Sequence, residues 1–220
     1  MESDSDINGI LTKLSGTREE EILRAMKELY AQVAQKQAVW YKKSGFTCPR
    51  GCGECCRNFE PDLLESEAHF MAVWILENEP EMAENLLQGN FPFPENKGCP
   101  FWNESGEYHC TVYGGRPFIC RFFGAYGSKS KTGERVFKPC KFYPAEKLAS
   151  HNPPLAHRQY GQKETLEIFG TVPPLSTDSM ESALSLNPEN KSTRLVREIL
   201  PETIRHLKWI CSMSAENTRL

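Results

Sequence analysis

The sequence has little of what a chain of its length normally uses to build a large apolar core. Hydrophobic residues make up 39% of its 220 residues, and the mean hydropathy is −0.53. No stretch approaches the roughly 18 consecutive apolar residues of a membrane span, and the most apolar short run is Phe70 to Leu76. The N-terminus, MESDSDINGILTKLSG, is acidic and lacks the basic segment and apolar run of a secretory signal. A soluble, cytoplasmic chain with no membrane partner is therefore expected. Charge of one sign is also scarce: the net charge is only −3, with 25% charged residues, so gross charge points to no polyionic partner. There is no internal repeat, no low-complexity tract and no glycine-rich strand-turn-helix of the dinucleotide-binding kind. A core this lean needs another source of stability, and bound metal is a common one.

Cysteine, by contrast, is abundant. Nine are present, eight of them between Cys48 and Cys140, while Cys211 stands alone on an apolar-looking helix. A reducing compartment disfavours disulfides, which leaves metal ligation or redox chemistry for the eight and a core position for Cys211. The first group is Cys48-x3-Cys52-x2-Cys55-Cys56, and the second is Cys99, Cys110, Cys120 and Cys140. Thiolates two or three residues apart start a site because a turn folds them together, and distant ones complete it. Neighbouring side chains diverge in regular backbone, so Cys55 and Cys56 are expected to do different jobs. Eight thiolates suit two four-thiolate centres, or one centre plus structural or redox-active thiols. Of the histidines, His69 reads as a packing or surface residue and His109 as a surface residue or one supporting a ligand.

The rest of the chain reads as helix around an irregular middle. Thr17 to Lys43 forms an amphipathic helix with capping-box spacing at Thr17 and Glu20 and a stop at Gly45. Further helices are expected over Leu63 to Leu76, Glu81 to Leu87, His157 to Phe169, Asp178 to Leu186 and Ser192 to Met213, with Pro201 dividing or restarting the last. Phe91 to Pro144 has no sustained period, and its one hairpin candidate turns at Gly133. The expected fold class is mainly α, with an irregular, cysteine-rich, metal-stabilised centre and at most a small β-hairpin. Three segments follow: a tail and helix over 1–45, a cysteine-cluster metal-binding domain over 46–145, and a helical segment over 146–220. An irregular stretch this long stays compact only if something ties it together.

From Cys110 to Tyr143 there are seven Lys or Arg against one acid, Glu134. Four thiolates around Zn²⁺ or a [4Fe–4S]²⁺ core carry a net charge of about −2, which nearby cations offset. Arg57, Arg116 and Arg121 adjoin the cysteine motifs and are the candidates for that role or for holding an anionic cofactor group. Eleven of the 23 aromatic residues fall between Phe101 and Tyr143. They are expected to form an apolar shell around the centre. A basic-aromatic platform for nucleic acid ranks below that reading.

The spacing Cys48-x3-Cys52-x2-Cys55 matches the radical S-adenosylmethionine motif, but the chain lacks the alternating strands and helices of that fold. A wider set of motifs carries a different resemblance: CPRGCGECCR at Cys48 to Arg57, CPF at Cys99 to Phe101, and CTVYGGRPFICRFFG at Cys110 to Gly124, with Cys140 placed as a last cysteine. Together they resemble the CxxxCxxCC family, often called YkgJ-like, of zinc- or iron-chelating domains. Two departures are Gly114-Gly115 before Arg116-Pro117, and Trp102 after CPF. The resemblance implies a metal site formed by Cys48, Cys52, Cys55, Cys56, Cys99, Cys110, Cys120 and Cys140. Its relatives resemble flagellin lysine N-methylases, which use S-adenosylmethionine and an iron–sulfur cluster. The first expectation is thus a metal-binding protein, iron–sulfur ahead of zinc, acting on a protein or small molecule not specified by the sequence. Second comes a cluster-dependent S-adenosylmethionine lysine N-methyltransferase, and third a zinc-binding nucleic-acid or protein adaptor.

Overall fold

The computed structural model describes residues 7–47, 52–106, 109–186 and 192–217, with side chains as far as 214. Cys48 of the first cysteine group lies outside the described residues. In chain order the elements are α1 (Asn8–Lys13), α2 (Arg18–Ser44), α3 (Glu54–Arg57), β1 (Asp62–Leu63), α4 (Glu65–Asn78) and α5 (Pro80–Leu87). A 3₁₀ turn (Tyr113–Gly115), α6 (Phe118–Phe122), β2 (Gly127–Lys129), β3 (Arg135–Phe137) and α7 (Ala145–Ala149) follow. The chain continues through β4 (Tyr160–Gly161), α8 (Gln162–Phe169), α9 (Ser176–Leu186), β5 (Arg194–Leu195) and α10 (Val196–Asn217). The protein is mainly helical with small antiparallel sheets, as the sequence pattern indicated.

Local chemistry explains most boundaries. Thr17 caps α2 by accepting the Glu20 N–H at 3.2 Å, while Glu20 reaches back to the Gly16 N–H at 2.8 Å. At the other end Gly45 takes the left-handed conformation, φ 64°, that lets the chain leave the helix. α4 is apolar almost all round, with Ala68, Phe70, Met71, Ala72, Val73 and Ile75 buried, and a helix of that pattern belongs in the middle of the core. α2, α5 and α10 pack around it. β1 and β5 pair antiparallel, Asp62 opposite Leu195, which brings the start of α10 beside the start of α4.

A second, smaller core forms where the end of α2 meets the β2–β3–β4 sheet and α8. Trp40, Phe46, Phe137, Tyr160 and Phe169 fill it, and Trp40 lies 5.0 Å from both Phe137 and Phe169, ring centre to ring centre. The β2–β3 hairpin pairs Gly127 with Phe137 and Lys129 with Arg135, with Gly133 at φ 83° in its turn.

Several expectations need correction. α10 runs through Pro201 as one helix. The proline sits near its start and costs a single N–H, while Val196, Ile199, Leu200, Ile204 and Leu207 stay buried on either side of it. α8 begins only at Gln162, because Tyr160–Gly161 is held as a strand against β3. The interval from Phe91 to Pro144 also contains a short helix, α6, which is too brief to show a period. The basic excess after Cys110 is partly paired, since Lys129 and Arg135 both reach Asp178 on α9.

One polar group within this core is structural. Glu67, buried on the first turn of α4, accepts the Leu64 N–H at 3.0 Å and the Phe118 N–H at 2.7 Å. It thus caps α4 and holds the start of α6. Burial pushes its pKa up to about 7 against the pull of these two donors. Glu67→Ala leaves two buried N–H groups without an acceptor, and at 1–3 kcal/mol each the expected loss is about 3 kcal/mol. Glu67→Gln keeps one acceptor and should lose less. Urea unfolding of the three proteins checks the order.

Candidate metal centre

Four segments deliver the described cysteines. The first is the turn into α3. Gly53, at φ 55°, precedes α3 and accepts the Cys56 N–H at 2.9 Å. This places Cys55 and Cys56 side by side, their sulfurs 3.8 Å apart. The sulfurs of that adjacent pair thus diverge less than expected: neighbouring residues of a helical turn point only about 100° apart, and the two thiols meet.

The second segment is the loop carrying Cys99 and Cys110. The Cys99 N–H donates to the Cys56 carbonyl at 3.2 Å, so the two motifs are joined backbone to backbone. A side chain at Gly98 would not permit this approach, because a Cβ there would lie 2.5 Å from the Cys56 carbonyl oxygen and 2.7 Å from the Phe59 nitrogen. Asn96 secures the turn by donating to the carbonyls of Cys99 and Trp102 at 3.1 and 2.8 Å. Cys110 returns alongside through a bridge to Trp102.

α6 carries Cys120, and α2 grips it: Gln37 donates to the Arg121 carbonyl at 2.7 Å, and Tyr30 packs on Phe118 at 4.6 Å. Cys140 follows β3, three residues after Phe137.

Electrostatics shows which thiols face one another. Burial raises Cys120 well above its ordinary pKa, and Cys99, Cys110 and Cys55 raise it further. Burial pushes Cys99 up to about 12, with Cys110 adding to it, and Cys110 is raised chiefly by burial with Cys55 contributing. Cys140 is raised by burial and then by Cys52 and Cys55. Cys55 is raised by its hydrogen bond with Cys56 and by burial. Cys55, Cys99, Cys110 and Cys120 therefore form one neighbourhood, and Cys140 and Cys52 form a second that meets it at Cys55. Cys211 packs on the main core, and burial raises its pKa with no other thiol involved.

A common local device accompanies three of these thiols. The backbone N–H two residues on, from Phe101, Val112 and Phe142, lowers the pKa of Cys99, Cys110 and Cys140 respectively. Turns that aim an N–H at sulfur stabilise the thiolate form that metal ligation requires. Arg116 adds a positive charge that lowers Cys120, Cys110 and Cys55. Arg121 also lowers Cys110, and Arg197 on α10 lowers Cys99. The donor set, soft sulfur ligands with N–H donors and nearby guanidiniums, fits a thiophilic ion or an iron–sulfur core.

The three arginines differ in placement. Arg116 stacks 3.3 Å over Tyr113 and donates to its carbonyl at 2.9 Å, beside the thiols. Arg121 donates to the carbonyls of Arg116 and Gly114 at 2.7 and 2.6 Å and lies 4.0 Å over the Tyr30 ring, where it braces the turn. Arg57 points to the surface, 3.4 Å from Glu104 and 3.7 Å from Glu54. Gly114-Gly115 also has a physical reason: a Cβ on Gly114 would lie 2.4 Å from Trp74 Nε1. The expected aromatic shell is divided. Phe101, Phe118 and Phe122 lie in the main core, with Tyr126 packed against it, and Phe137 lies in the second; burial and then Cys140 raise the Tyr126 pKa. His109 lies over Gly53 and shares a hydrogen bond with the Asn103 carbonyl through Nδ1 at 2.9 Å.

One supporting residue had no visible signal in the sequence. Arg197, on α10, pairs with Glu60 and donates to the carbonyls of Gly98 at 3.0 Å and Asn96 at 2.8 Å. It anchors the Cys99 turn from a helix almost a hundred residues away, and no local motif marks it.

Residues 47–141, somewhat under half of the chain, match the model of the CxxCxxCC family, "Putative zinc- or iron-chelating domain". The match supports a metal-chelating role for this segment. No curated protein matches the chain, and no solved structure does.

The close approach at Gly98 can be tested directly. Gly98→Ala places a methyl group against the backbone of Cys56 and Phe59, so Cys99 must move away from Cys56. The purified variant should retain less than half the metal per chain of the unaltered protein by elemental analysis, whereas Gly161→Ser, an exposed control with open space around it and an ordinary backbone conformation, should retain it.

Proposed function

We propose that the chain is a metal-binding protein in which cysteine thiolates hold an iron–sulfur cluster. Cys55, Cys99, Cys110 and Cys120 are the ligands of the principal centre. Cys52 and Cys140 are thiols of an adjoining site, and Cys56 supports the first; Cys48, a ligand candidate from its spacing, lies outside the described residues. The observation that carries this reading is the convergence of four thiols, Cys99 buried and Cys55, Cys110 and Cys120 half-buried, brought from three separate segments, on one neighbourhood beside Arg116.

Spacing favours iron–sulfur over a single zinc ion. Zinc–sulfur bonds of about 2.3 Å place the sulfurs of a tetrahedral site roughly 3.8 Å apart. Among the described residues, no three cysteine sulfurs lie within 4.8 Å of one another. A polynuclear core stands between its thiolates and accepts a wider separation. When bound, such a cluster supplies an electron-accepting or substrate-binding iron centre. The residues of this chain provide thiolates, N–H bonds to sulfur and the positive charge of Arg116, which offsets the negative charge of the site.

Residues 46–145 constitute the metal-binding unit in this reading, and the flanking helices brace it. Purification under anaerobic conditions, with a visible spectrum and metal analysis, tests the assignment. A brown protein with a broad visible charge-transfer band and matching iron and sulfide is expected; a colourless protein with stoichiometric zinc overturns it. Cys120→Ser should lose the chromophore and unfold at lower urea, because ligation and folding are coupled. Cys211→Ser should keep the same iron content, and loss of iron there would contradict the separation of Cys211 from the other eight.

A further inference from the structure

A second constellation of metal-ligating side chains stands apart from the cysteines. Glu19 on the first turn of α2, His69 on α4 and His206 on α10 each offer one ligand atom, and the three atoms lie within 4.8 Å of one another. The residues are far apart in sequence and reach the same place only because α2 and α10 both pack on α4. Glu19 and His206 fall outside the segment that matches the chelating family.

We infer that Glu19, His69 and His206 form a binding site for a divalent transition-metal ion such as Zn²⁺, bridging three helices. Two imidazoles and one carboxylate are the donor set of an open, solvent-accessible zinc site. His69 is prepared for ligation. Its Nδ1 lies 2.8 Å from the Glu65 carbonyl oxygen, and since a carbonyl only accepts, Nδ1 carries the proton and Nε2 keeps its lone pair. A ligating histidine typically has this kind of backbone partner on its second nitrogen. Burial lowers the His69 pKa and favours the neutral ring that a metal requires. His206 Nε2 lies 3.2 Å from Glu19 Oε1, a hydrogen-bond distance from which a small rotation admits an ion between them. The two rings meet edge to face, centres 6.0 Å apart. His69 is buried, Glu19 is half-buried and His206 is 46% exposed. The ion would therefore keep an open position facing solvent.

This site and the cysteine neighbourhood lie on different sides of α4. Glu67 reaches α6, the helix that carries Cys120, and a residue two places further along a helix points roughly 200° around the axis. His69 thus faces α2 and α10 instead.

The test uses the full chain with its cysteine centre already loaded, dialysed against buffered Zn²⁺. The unaltered protein should take up one further equivalent of zinc. His206→Ala, at an exposed position, and Glu19→Gln, at a half-buried one, should bind that equivalent more than about tenfold more weakly, the scale seen when even an outer partner of a metal is lost. The spectrum of the cysteine centre should not change. Replacing the added zinc by Co²⁺ should give weak ligand-field bands without sulfur-to-cobalt charge transfer. Equal zinc uptake by the unaltered protein and both variants would overturn the proposal and leave a simple Glu19–His206 ion pair. Charge transfer from sulfur in the added Co²⁺ would equally overturn it by placing the extra ion on cysteine.

Discussion

The carboxylate of Glu67 lies buried at the start of α4 and accepts N–H bonds from two separate stretches of chain, at Leu64 and Phe118. A carboxylate in that setting costs desolvation energy, and the cost is recovered only if both donors are held in place. The seating of α4 and the direction of α6 are thereby coupled. Cys120 inherits its position from this arrangement, and Tyr30 and Gln37 of α2 close on the same helix from the other side.

The cysteine neighbourhood is therefore supported by the helices as much as it organises them. Arg197 reaches from α10 to the carbonyls before Cys99, and Gly98 permits the backbone of one motif to touch that of the other. The thiols at the centre are buried or half-buried, and desolvation holds Cys99 and Cys120 above the ordinary thiol pKa, which favours the protonated form. A cation that takes thiolates as ligands displaces those protons, so metal affinity and folding energy are coupled in the same residues. A lean apolar core is consistent with a chain that gains stability in this way.

α4 also joins two kinds of chemistry. One face leads through Glu67 to the helix of the Cys120 thiol, and the other presents His69 to Glu19 and His206. Soft thiolates and harder nitrogen–oxygen donors select different ions, so two faces of one buried helix would sort metals by ligand type. Both sets depend on the same packing of α2 and α10, which makes the three-helix contact the common support of both.

Read alone, the sequence determined the α2 boundaries, the apolar character of α4, the hairpin turn at Gly133 and the grouping of eight cysteines apart from Cys211. Each is a local property: capping pairs, hydrophobic period, a glycine at positive φ, and spacing along the chain. Tertiary structure decided what depends on contacts between distant segments. It set which thiols share a neighbourhood, placed Arg116 beside them and Arg57 at the surface, and kept α10 continuous through Pro201. It also turned His69 from an unremarkable helical residue into one of three convergent donors. Pairwise contacts across 50 to 190 residues leave no period or motif in the chain, because only the packing of α4 between its neighbours brings them together.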